Sequence, residues 1–170
     1  MSSMGANSEG TQLYAEKFPD LTYHQLGQTG LTVSPYGFGS YRVSDPLVHG
    51  EALREALRSG VNLIDTSSNY ADGASESIIG EVLSDCFQSG HLSRDQVVVV
   101  TKGGYIQGKN LDRSRQREQD GASFPDLVEL DPQLQHCMHP VFLEEQLTAS
   151  LERLQLPSVD VYLIHNPEYY

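Results

Sequence analysis

Val61-Asn62-Leu63-Ile64-Asp65-Thr66-Ser67-Ser68-Asn69-Tyr70 is a short apolar run that ends on an acid, with a tyrosine a few residues beyond it. Two other stretches have the same form. Val97-Val98-Val99-Val100-Thr101 runs into Lys102, and Val159-Asp160-Val161-Tyr162-Leu163-Ile164 runs into His165. Runs this short and rich in β-branched side chains read as strands buried on both faces, the kind found in parallel sheets. As parallel neighbours they would bring an acid, an amine and an imidazole out side by side at one end of the sheet. In barrels of alternating strands and helices, catalytic residues sit at the C-terminal ends of the strands. The pattern predicts an active site there, with Tyr70 over its mouth.

Working outward, helical periodicity covers residues 46–59, 75–87 and 141–155, with Gly60 as a left-handed stop after the first. Asp72, Ser75 and Glu76 gather at the start of the second helix, where side-chain acceptors and negative charge are favoured. Gly27-Gln28-Thr29-Gly30 is the turn of a hairpin, and Tyr36-Gly37-Phe38-Gly39 follows as a first barrel strand. The order is hairpin, β, α, β, α, β, long insert, α, β, which means a parallel α/β sheet. Residues 1–20 are rich in Ser, Gly and Asn and are expected to form a mobile leader, so that the domain spans 21–170. Residues 103–140 are too long for an ordinary connection and read as a loop insert on the C-terminal face. The crowded His136-Cys137-Met138-His139 reads as a surface turn, and no metal site is expected. A barrel of eight β-α units takes about 250 residues, so the chain is expected to be the N-terminal part of a larger fold, as a fragment or a truncated product.

The 170 residues suffice for a real core, and their formal net charge of −12 argues against nonspecific binding to nucleic acid. No apolar run reaches the roughly 18–20 residues of a membrane span, and the N-terminus lacks the pattern of a signal or transit peptide. Cys86 and Cys137 make no disulfide framework, so a reducing, cytoplasmic setting is expected.

Several motifs resemble the aldo/keto reductase family, in order and over most of the chain, from Leu21 to Glu168. They are Leu26-Gly27-Gln28-Thr29-Gly30-Leu31-Thr32-Val33-Ser34, Gly37-Phe38-Gly39-Ser40-Tyr41, the stretch from Gly60 to Tyr70 with Gly73-Ala74-Ser75-Glu76 and Gly80, Val100-Thr101-Lys102-Gly103, and Val161-Tyr162-Leu163-Ile164-His165-Asn166-Pro167. The resemblance implies a (β/α)8 TIM-type barrel, of which this chain supplies the hairpin and about the first four strands. It implies the family's catalytic tetrad at Asp65, Tyr70, Lys102 and His165, none of them substituted. It further implies that Ser40, Tyr41 and Asp65 approach a nicotinamide cofactor, with NADPH expected and NADH left open. The partner would be a small carbonyl or alcohol substrate; oligomeric state stays open. The G-x-G-x-x-G dinucleotide fingerprint is absent, as such barrels do without it.

The residue types suit that chemistry. Reducing a carbonyl with hydride develops negative charge on its oxygen, which needs a proton donor. A phenol serves if a neighbouring ammonium stabilises the phenolate it leaves, and an aspartate can hold that ammonium in place. A neutral imidazole can hydrogen-bond and orient the carbonyl. Each side chain alone has an ordinary structural explanation, as a cap, a salt-bridge partner, a packing aromatic or a satisfied strand-end histidine. Other classes remain open: a regulatory cofactor-binding module, like the potassium-channel β subunits that resemble this family, or an inactive half barrel. A metal hydrolase on the same barrel would want paired His or carboxylate ligands where Lys102 stands. The isolated chain is expected to be inactive, and its substrate is not legible.

Overall fold

The computed structural model describes residues 4–169, and its first element is a helix, α1 (Ser8–Ala15), inside the stretch expected to be a leader. The Asn7 side chain caps α1 by accepting from the Gly10 N–H at 2.7 Å. Tyr14 is buried and donates its hydroxyl to the carbonyls of Leu57 and Val61. Gly10 approaches Asp95 so closely that a Cβ would fall 2.5 Å from the Asp95 carbonyl oxygen. Residues 8–15 therefore belong to the packed body, a correction to the leader; residues 1–3 lie outside the described residues.

The remaining elements follow in chain order. The hairpin is β1 (His24–Gln25) and β2 (Thr32–Val33). Next come β3 (Phe38–Gly39), α2 (Val48–Arg58), β4 (Leu63–Asp65), α3 (Ala74–Gln88) and β5 (Val98–Gly103). After them stand β6 (Tyr105–Ile106), α4 (Gly108–Gln119), β7 (Val128–Asp131), β8 (Leu134–His136), α5 (Pro140–Leu154) and β9 (Val161–Ile164). The principal sheet runs β3-β4-β5-β9 with every pair parallel. Four strands in sequence order, crossed by α2, α3 and α5, form the first half of a (β/α)8 barrel.

Burial explains the apolar runs. Val97 and Val99 pack with Leu53, Leu57, Ile79 and Leu83 under the helices, while Val98 packs on Leu31 and Val33 of the hairpin. Successive side chains of one strand thus fill two layers, so the run cannot alternate with polar residues. Asn62 interrupts its own run for a reason. Fully buried, it accepts from the Ser34 N–H at 2.9 Å and donates to the carbonyls of Thr32 and Gln96 at 2.9 and 3.2 Å, tying the hairpin to the barrel strands.

Two further expectations are corrected. The insert is no loop: β6, β8 and β7 form an antiparallel sheet that, with α4, encloses its own core of Ile106, Leu111, Phe124, Cys137 and Phe142. The start of α3 is capped otherwise than expected. Gly73 is its N-cap, with no side-chain cap bond. Glu76 is buried against Arg153 and Thr101, at 2.7 and 2.5 Å. Asp72 instead accepts from the Lys109 N–H in the first turn of α4.

Candidate active site

In the parallel register Asp65 lies opposite Val100, so Lys102, two residues further along β5, faces the same side. The Lys102 ammonium donates to Asp65 Oδ2 at 2.8 Å, to the Thr66 carbonyl at 2.8 Å and to the Tyr70 hydroxyl at 3.3 Å. Its side chain is 13% exposed, against 43% for Asp65. The amine is sheltered, whereas part of the acid is exposed.

Tyr70 is delivered by a strained turn. Ala71 and Asp72, directly after it, both take left-handed backbone angles, φ 49° and 57°. Non-glycine residues adopt that region at an energetic cost. The turn is fixed by backbone bonds from Tyr70 N–H to the Ser67 carbonyl and from Asp72 N–H to the Asn69 carbonyl, at 3.1 and 3.2 Å. Tyr41, exposed at the start of the loop after β3, stands edge-on to the Tyr70 ring at 5.2 Å between centroids.

His165 follows β9, and its N–H donates to the Gly103 carbonyl at 2.8 Å. Its own carbonyl oxygen lies 2.6 Å from His136 Nε2, and its ring stands edge-on to Tyr105 and Tyr70 with centroids at 4.7 and 5.9 Å. Nδ1 is 3.1 Å from Ser67 Oγ. Burial, followed by the nearby Lys102 charge, holds the imidazole below its ordinary pKa; His136 acts in the same direction, while Asp65 and Glu168 oppose. This direction favours the neutral ring.

Asp65, Tyr70, Lys102 and His165 thus converge at one end of the sheet, beside a cavity of about 530 Å³ lined in part by Tyr41, Arg42, Tyr70, Tyr105 and His165. Of the residues expected near a cofactor, Tyr41 is on the rim, but the Ser40 hydroxyl is buried and donates to the Asp65 carbonyl at 2.9 Å. Ser40 thereby joins the end of β3 to β4. Sequence reasoning missed Ser67, Asn69, Tyr105, Gln107 and Asn166. The first two lie between Asp65 and Tyr70, and that placement is the one signal that could have marked them. In chemical terms, a phenol that lines a cavity accepts at its oxygen from a sheltered ammonium and stands edge-on to an imidazole.

Comparison with known proteins agrees with this architecture. Residues 37–170 match the model of the aldo/keto reductase family. The chain is 34% identical over 149 residues to an NADH-specific methylglyoxal reductase of Escherichia coli, covering 82% of this chain and 40% of that protein. It is 31% identical over 151 residues to an L-galactose dehydrogenase of Arabidopsis thaliana, covering 85% of this chain and 38% of that one. A holo-form aldo-keto reductase of Bacillus halodurans superimposes with a TM-score of 0.64 at 22% identity, over 88% of this chain and 43% of its own, and so supports the fold. The chain spans about two fifths of the length of the curated relatives it matches. From the matched segment, together with four parallel strands in the order a (β/α)8 barrel requires, it follows that this chain belongs to the aldo/keto reductase family.

Proposed function

We propose that the assembled barrel, in which further β-α units complete this half, interconverts an aldehyde or ketone and an alcohol with a nicotinamide cofactor, Tyr70 being the proton donor. The observation that carries this reading is the Lys102 ammonium, bonded at once to Asp65, the Thr66 carbonyl and the Tyr70 hydroxyl beside an open cavity. One relative is named a reductase and another a dehydrogenase, the two directions of such an interconversion.

The residues present fit the cofactor's reactive end. Asp65 keeps part of its carboxylate open to accept from a ribose hydroxyl, and Tyr41 offers a flat exposed ring at the rim. When bound, a reduced nicotinamide supplies hydride to the carbonyl carbon. Tyr70 gives its proton to the carbonyl oxygen as charge develops there, and Lys102 stabilises the phenolate that remains. Asp65 and the Thr66 carbonyl hold Lys102 in place. His165, neutral, hydrogen-bonds the same oxygen and orients it. Solvent returns the proton to Tyr70 after the alcohol leaves. NADPH is the expectation from family resemblance, and one relative's name gives NADH, so the proposal extends to a reduced nicotinamide of either kind. Among the described residues no helix is long and apolar enough to cross a membrane. The cytoplasm is proposed as the compartment because Cys86 and Cys137 are buried as thiols and not joined in a disulfide.

Tyr70→Phe tests the assignment. In the assembled barrel it is expected to lower kcat for carbonyl reduction by about 10²–10⁴-fold, the usual contribution of a positioned acid. Cofactor affinity, read by fluorescence titration, should change little. Unchanged turnover would assign the proton to another group.

A further inference from the structure

We infer that Ser67 is a positioning residue that decides which ring nitrogen of His165 carries the proton, through a hydrogen-bonded relay running from Gln107 through Asn69 and Ser67 to His165. The inference rests on the role proposed above for His165, but its main readout does not depend on turnover.

Ser67 is buried, and three acceptors lie within reach of its hydroxyl: Asn69 Oδ1 at 2.6 Å, His165 Nδ1 at 3.1 Å and the Lys102 carbonyl at 3.3 Å. The Lys102 carbonyl is the most distant and already accepts from the Ser68 N–H. Asn69 Nδ2 in turn donates to Gln107 Oε1 at 2.9 Å. A hydroxyl has one proton to give. If it goes to Asn69 Oδ1, His165 Nδ1 must carry a proton and donate to Ser67. Nε2, the nitrogen left for the cavity, is then a bare acceptor. Such a nitrogen takes the O–H of an alcohol but cannot bind a carbonyl oxygen.

Turning both amides end for end leaves every heavy-atom position unchanged. Gln107 Nε2 then donates to Asn69 Oδ1, Asn69 Nδ2 donates to Ser67 Oγ, and the Ser67 hydroxyl donates to His165 Nδ1. Nε2 now carries the proton and presents it to the cavity, the form that carbonyl reduction requires. The choice matters because Ser67 is shut off from water, so bulk solvent does not average the two arrangements. It also ties the imidazole to the insert. Gln107 is exposed on the cavity rim, between β6 and α4, and reaches His165 through this relay.

The test is a long-range ¹⁵N–¹H correlation spectrum of imidazole-labelled assembled barrel, at mildly alkaline pH where the ring is neutral. Wild-type His165 is expected to be mainly Nε2-protonated. Ser67→Ala should abolish that preference and lower kcat/KM for carbonyl reduction about tenfold, the worth of one hydrogen bond at the upper end of its range. Asn69→Asp and Gln107→Glu should both invert the preference to Nδ1. In Asn69→Asp the new carboxylate would accept from Ser67 directly. In Gln107→Glu the new carboxylate would fix the Asn69 amide with its oxygen toward Ser67. Gln107→Glu lies on the exposed rim, so the test survives if a buried variant fails to fold. A His165 protonated mainly on Nδ1 in the wild type, or the same tautomer in all four proteins, would overturn the relay. Tautomers that shift as expected in a wild-type barrel unable to reduce any carbonyl would leave the relay standing and remove the proposed function.

Discussion

An ammonium carries three N–H donors, and at Lys102 each has its own acceptor: Asp65, the Thr66 carbonyl and Tyr70. With all three committed, the charge has one position, directly behind the phenol. His165 is shaped by the same neighbourhood, since its pKa is lowered by burial first and then by Lys102, with His136 adding to these and Asp65 and Glu168 opposing. A histidine with a depressed pKa binds fewer protons folded than unfolded. Its contribution to stability is therefore intact above the ordinary value of 6.5 and is lost as pH falls from there through the folded value. Urea midpoints of the assembled barrel, taken at about pH 7.5 and about pH 5.5, should fall further for wild type than for His165→Gln. Equal losses would mean that the imidazole is not held neutral by its surroundings. At this scale Asp65, Lys102 and His165 were legible because each ends an apolar run that fixes its strand end, and Tyr70 because it lies a few residues past the first of them. Ser67, Asn69 and Gln107 were not, since polar residues in loops carry no periodicity that says which way they face.

Strands β4 and β5 and helices α2 and α3 were readable because the residues they bury are largely apolar. β9 was readable from its apolar run and α5 from leucines at helical spacing, although β9 exposes Leu163 and Ile164 and α5 buries Gln146 and Ser150. α1 escaped notice because it is held by Gly10, Thr11 and Tyr14, which make no apolar stripe. The insert escaped because its strands are short and α4 buries only Leu111 and Ser114. Yet the insert is coupled to the site. Gly108, at φ 52°, opens α4 where a Cβ would fall 2.5 Å from the Asp72 carboxylate, and Asp72 in turn accepts from Lys109 N–H. The turn that carries Tyr70 is thus fastened to an element that looked like a loop. At the opposite end of the sheet, Asn62 does the equivalent work for the hairpin. Asn62→Leu would leave the Ser34 N–H and the Thr32 and Gln96 carbonyls without that partner in a buried place. It should destabilise the assembled barrel by about 2–4 kcal/mol in urea unfolding. A loss below about 1 kcal/mol would show that the hairpin is not held by this clamp.

In the principal sheet, β3 and β9 are edge strands, and Leu163 and Ile164 of β9 are 42% and 44% exposed. Edges of this kind are paired when a barrel closes and invite association when it does not. The cavity beside Tyr70 is likewise open, and hydride transfer depends on fixing donor and acceptor within a narrow range of geometry. The 170-residue chain alone is therefore expected to be inactive, and the chemistry to belong to the assembled barrel. The most direct measurement is isotope transfer from a nicotinamide cofactor deuterated at C4 to a set of small aldehydes and ketones, with the alcohols read by mass spectrometry. The assembled barrel should place deuterium on the former carbonyl carbon of at least one product, while Tyr70→Phe and the isolated chain should transfer little or none. Deuterium-free alcohols from the wild-type barrel, or equal transfer by Tyr70→Phe, would contradict a site in which Tyr70, backed by the Lys102 charge, completes a hydride reduction.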